Sequence, residues 1–194
     1  TKLSYLGEEE SLNDSFDRLG LYQYMIAAIN FLVDKIDRGD ILSILYGYLG
    51  GHYLRIGNIQ KALAVYQQAR EIAIKSQDKY PRTDHNNKLS RKIIQQSLAS
   101  LLSMSWCKVI LGETEEAIEY YEQVRVFAEN YNLRLFVAFS CFGLANLYSN
   151  SKYEKHDKAK AYALLESGYK TYREISVEML TAWSEVYSFL MAGM

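Results

Sequence analysis

The chain has 194 residues, is 49% hydrophobic, contains one proline and carries a formal charge of −1. Such a balance excludes a disordered or collagen-like chain and argues against a dedicated nucleic-acid or acidic-membrane binder. The length allows one domain with a sizeable core.

No segment reaches the length of a membrane span and no signal peptide is visible, so the expectation is a cytoplasmic protein. The chain begins at Thr1, which is compatible with a processed chain or a piece of a longer one. Cys107 and Cys141 both fall inside apolar helical patterns and read as buried thiols rather than as a disulfide framework. The 17 tyrosines suit helix–helix interfaces and binding surfaces alike.

Residues 1–12 hold Glu8, Glu9 and Glu10 and read as a flexible acidic arm. From Asp14, the residues Phe16, Leu19, Tyr22, Ile26, Ile29, Val33 and Ile36 form one apolar stripe at three- and four-residue steps, predicting a helix. Gly39 is a plausible stop and Asp40 a cap for the next element. A second helix is expected over about 41–56 and a third over about 59–79, separated by Gly57. Tyr80, Pro81 and the polar residues through Asn87 make a small basic loop.

Helices four and five are expected over about 89–111 and 114–130, with Gly112 in the place of Gly57. Acidic residues at the start of helix five favour its N-terminus. A further pair follows around the turn Ser149–His156, and a terminal helix is expected over 176–192. The count is about eight helices. No single hairpin can bury its own apolar face, so the hairpins must stack.

The stretch Ser43–Ser76 carries the clearest repeating unit. Tyr46, Leu49–Gly50 and Tyr53 lie at helical spacing, and Ala62, Tyr66 and Ala69 follow after the turn. Leu101, Met104–Ser105, Ala117, Tyr121 and Val124 repeat the pattern within about 98–131, with Lys108 in the place of Tyr53. Cys141, Leu144–Ala145, Tyr148, Ala161, Leu165 and Gly168 repeat it again within 138–172. This spacing resembles the tetratricopeptide repeat. The usual proline after the second helix is missing from all three copies.

The resemblance covers roughly residues 40–172 and implies an all-α, right-handed superhelical stack of antiparallel hairpins; with the flanking helices, which fit by general character, one domain is expected over 13–194. It also implies a concave groove, lined by first helices, that binds a peptide or partner helix. Chaperone-binding members of the family grip a terminal carboxylate there with lysine, asparagine and arginine. The matching places here are Gly47 and Gly51, then Leu102, Ser103 and Trp106, then Phe142, Gly143 and Asn146. They do not make a basic clamp. The expected groove residues are therefore Gly47, Gly51, Leu102, Trp106, Phe142 and Asn146, offering an apolar, aromatic lining to a helical or hydrophobic segment.

Gly47, Gly50 and Gly51 each cost a helix about 1 kcal/mol relative to alanine. Close helix packing or room for a ligand backbone would offset that cost.

No constellation of chemistry emerges. His52, His85 and His156 are scattered and lack metal-ligand spacing, so no metal or cofactor is expected. The spacing of Ser105 to Lys108 and of Ser76 to Lys79 is common by chance and comes without its accompanying signatures. The glycines follow no strand and precede no phosphate-loop lysine. The reading is a non-catalytic interaction module acting as scaffold, adaptor or assembly factor. A peptide-sensing regulatory domain of a larger signalling or transcription-regulating protein is the alternative, and an enzyme the remote one. Membership in a homo-oligomer stays open.

Overall fold

The computed structural model describes residues 39–79 and 88–192, together with helical positions at 20, 21, 23, 24, 27 and 31. The acidic arm 1–12, most of the expected helix over 14–36 and the basic loop 80–87 lie outside the described residues. Within them the protein is all-α. The helices are α1 (Gly39–Arg55), α2 (Ile59–Lys79), α3 (Lys88–Leu111), α4 (Thr114–Asn130), α5 (Arg134–Ser149) and α6 (Lys158–Ala192). The chain divides into two compact units, the first through Ala117 and the second from Ile118. In the first, α2 packs on both α1 and α3; in the second, α5 packs on α6. This sequential packing agrees with a helical-repeat arrangement.

Three helices end the same way. After α1, the Asn58 N–H donates to Tyr53 O at 2.8 Å and Gly57 N–H to Leu54 O at 3.1 Å. After α3, Glu113 and Gly112 donate to Lys108 and Val109, and after α4, Leu133 and Asn132 donate to Ala128 and Glu129. Each pair is a Schellman closure, which needs one left-handed residue past the helix. Gly57 (φ 76°), Gly112 (φ 77°) and Asn132 (φ 51°) are those residues. The next helices start on side-chain caps where a suitable residue exists. Asn58 Oδ1 accepts from Lys61 N–H at 3.2 Å, and Asp157 Oδ1 from Lys160 N–H at 2.9 Å.

Most of the expected anchors lie in the core, Leu165 excepted. Ala62, Ala69, Ala117 and Val124 are fully buried, as are Ser105 and Leu144. Buried Ser105 donates to Leu101 O at 2.9 Å, so its hydroxyl is satisfied within its own helix. Gly50 is where α1 receives α2: a Cβ there would lie 2.7 Å from the Tyr66 ring. Gly143 in α5 meets the Tyr121 ring of α4 more closely still. Lys108, the poor match to Tyr53, joins the end of α3 to the start of α4 through Glu113 and Glu116.

One expectation is corrected. The terminal helix 176–192 is not a separate element, because α6 runs unbroken from Lys158 to Ala192. Neither glycine nor proline occurs between Gly168 and Gly193. Ser176, read as the start of a new helix, instead donates its hydroxyl to Tyr172 O at 2.9 Å. That backward bond belongs to a helix interior rather than a cap. The last two expected helices are thus one, and the described residues hold six named helices, the expected first helix lying mostly outside them.

Candidate functional site

Two depressions contain residues expected from the sequence, one in each unit. In the first unit, Gly47 and Tyr48 of α1 face Gln96, Ala99, Ser100 and Ser103 of α3 across Tyr66, around about 210 Å³. Gly47 opens onto this space, since the nearest side-chain atom to an added Cβ is Gln96 Oε1 at 4.0 Å. Gly51 looks toward the Tyr66 hydroxyl at 3.6 Å. The glycines thus divide their roles: Gly50 admits a packed ring, whereas Gly47 leaves room. Burial pushes the Tyr66 phenol above its ordinary value of 10.0, against the opposing effect of its bond with Ser103. Leu102 and Trp106 do not line this cleft. Leu102 is half-buried, and Trp106 stands 48% exposed on α3.

The second depression is larger, about 460 Å³, and lies between α5 and α6. Phe142, Ala145, Asn146 and Ser149 come from α5, and Lys158, Ala161, Tyr162 and Leu165 from α6. Phe142 and Asn146 are therefore brought together here. Phe142 seats on Gly168, where a Cβ would lie 2.8 Å from its ring, and meets Tyr172 edge-on at 6.5 Å. Arg134 holds the start of α5 to α6 through Glu178 at 2.7 Å and Glu174 at 3.0 Å. At the other end Lys160 donates to the Tyr148 hydroxyl at 2.8 Å. Both ends of the α5–α6 pairing are thus pinned by side chains.

Of the groove residues that the sequence reading did not expect, Tyr162 and Leu165 are the exposed large apolar ones. Leu165 occupies the repeat position of Tyr66 and Tyr121, which are 6% and 4% exposed, yet it is 51% exposed itself. Tyr66 is bonded to Ser103 of α3, and Tyr121 lies against Gly143 of α5. In each case the following first helix offers a small residue to the tyrosine, to the hydroxyl of Tyr66 and to the ring of Tyr121. No described helix does this for Leu165. The available signal was the spacing of apolar residues along α6 beyond those needed for the repeat.

The chemistry of the described residues is quiet. They hold no group of three or more His, Cys, Asp or Glu able to hold a metal ion, and no helix long and apolar enough to cross a membrane. Both cysteines are buried, and burial raises the Cys107 thiol from 9.0 to about 11. The Lys108 ammonium is held well above its ordinary range, chiefly by its bond to Glu113 and then by Glu116. No protein-family model matches the chain, and no curated protein matches it either.

Proposed function

We propose that the chain is a tetratricopeptide-like interaction module, without catalysis of its own, that binds an amphipathic helix in the groove between α5 and α6. The observation that carries this reading is the exposed apolar lining of that groove. Tyr162 and Leu165 stand beside half-buried Phe142, with Asn146, Ser149 and Lys158 at the margin. An apolar floor with a few polar groups is the composition expected of a recognition groove. Its volume of about 460 Å³ falls within the usual range for binding sites, whereas the 210 Å³ cleft at Gly47 falls below it. The role that follows is that of a scaffold, adaptor or assembly factor.

The test is selection from a library of random helical peptides displayed against the immobilised chain. The expected peptides carry apolar residues at i, i+3, i+4 and i+7. Their binding should be lost in Leu165→Glu and in Phe142→Ser, and kept in Trp106→Ser. Selection of extended, charged peptides that bind Leu165→Glu equally well would sink this reading.

A further inference from the structure

Helix α6 has two faces: α5 packs against one, and reaches the other only at its edge, where Phe142 meets Tyr172 at 6.5 Å. Ala161, Leu164, Gly168, Thr171 and Ile175 are buried or half-buried on the hairpin side. About a quarter-turn round the helix, Tyr162, Leu165, Tyr169 and Tyr172 are 70%, 51%, 61% and 44% exposed. Their steps are three, four and three residues. In the sequence, Met179, Trp183, Val186 and Leu190 continue the apolar alternation at the same steps, with polar Ser176 at the one intervening position. A 3–4 alternation sustained over four heptads is the signature of a helix that pairs with another along a coiled-coil seam. The 35 residues of α6 would extend about 52 Å, against about 24 Å for the 16 of α5.

We infer that the helix filling this seam is α6 of a second copy of the same chain, running antiparallel. The inference rests on the groove reading above and names its occupant. Self-complementarity of charge selects this partner. Glu166 and Arg173 flank the seam at equivalent positions seven residues apart, and neither makes an ion pair among the described residues. With Tyr169 of one copy level with Tyr172 of the other, Glu166 of each copy faces Arg173 of its mate, twice by symmetry. A parallel pair would set Arg173 against Gly168 and form neither bond.

The same register places Ser176 opposite Leu165. That repeats the arrangement of the earlier hairpins, where Ser103 bonds to Tyr66 and Gly143 meets the Tyr121 ring at the matching position. Ser103 and Ser176 even share the device that makes a serine inert in a seam. Ser103 donates to Ala99 O and Ser176 to Tyr172 O, each at 2.9 Å.

Sedimentation equilibrium of the full chain, from 1 to 100 μM, tests the inference. The wild type should dimerise, and Tyr169→Glu should remain monomeric with unchanged far-UV circular dichroism. Glu166→Arg and Arg173→Glu should each weaken the dimer about tenfold, since both symmetric pairs become repulsive. Their equimolar mixture and the double variant should regain wild-type affinity. Tyr169→Cys mixed with Tyr172→Cys should cross-link as heterodimers, whereas a parallel seam would give homotypic products.

A monomeric wild type at 100 μM, a dimer indifferent to Tyr169→Glu, or homotypic cross-linking each overturns the inference. A monomer that still captures the selected helical peptides would leave the groove reading standing. A monomer that captures none would remove both.

Discussion

Gly47 and Gly50 lie less than one turn apart on α1, yet their substitutions have opposite expected signs. Alanine at Gly47 meets nothing closer than Gln96 Oε1 at 4.0 Å. Gly47→Ala should therefore gain most of the helix-propensity difference, up to about 1 kcal/mol. Alanine at Gly50 would sit 2.7 Å from the ring of buried Tyr66, which cannot swing aside as a flexible side-chain end could. Overpacking of about 1–3 kcal/mol should outweigh the propensity gain and leave Gly50→Ala destabilised. Urea unfolding of the two variants checks the pair, and a shift of both in one direction would defeat the assignment.

The buried ionisable groups set a second expectation. Burial raises Cys107 from 9.0 to about 11 and Tyr121 from 10.0 to about 12. Each folded value exceeds the unfolded one, so the native state holds the proton longer. Stability is complete below pH 9 and falls as the pH rises through 9 to 12. The urea midpoint should decline across that window, and Cys107→Ala should flatten its lower part.

At the scale of the element, the turns separate what the sequence could tell from what it could not. Gly57 and Gly112 were legible because glycine reaches a left-handed backbone freely and each follows an apolar stripe. Asn132 performs the same task but was silent, since asparagine also serves as cap, loop and solvent-facing residue. Gly57→Ala should cost about 1–2 kcal/mol, whereas Asn132→Gly should gain about 0.5 kcal/mol. Thermal unfolding resolves the difference, because the two changes move the midpoint in opposite directions.

Ser176 misled in the reverse sense. A serine after a charged run looks like a cap, and only its bond to Tyr172 O shows that the helix continues. The anchors Ala62, Tyr66, Ala117 and Tyr121 were readable because small and aromatic residues at fixed spacing report helix crossings. The site was less so. Gly47, Phe142 and Asn146 do line depressions, but the exposure of Tyr162 and Leu165 depends on what packs against α6, and spacing within one hairpin does not carry that information.

At the scale of the whole molecule, one position differs between the hairpins. The residue four places after each anchor alanine is Tyr66, Tyr121 and then Leu165. Tyr66 lies against Gly50 of α1 and bonds to Ser103 of α3, Tyr121 lies against Gly143 of α5, and both are buried, whereas Leu165 is half exposed. Truncation should follow that difference. Tyr121→Ala empties a packed site and should cost about 3–5 kcal/mol at any protein concentration. Leu165→Ala removes an exposed side chain and should change the dilute protein by no more than about 0.5 kcal/mol. If a second copy covers Leu165, association contributes to stability by mass action, and the effect of Leu165→Ala should grow with concentration. Urea unfolding at 0.5 and 100 μM separates the cases. A Leu165→Ala cost as large as that of Tyr121→Ala in the dilute sample would mean that Leu165 is already buried within one chain. A cost near zero at both concentrations would mean that no second copy reaches it.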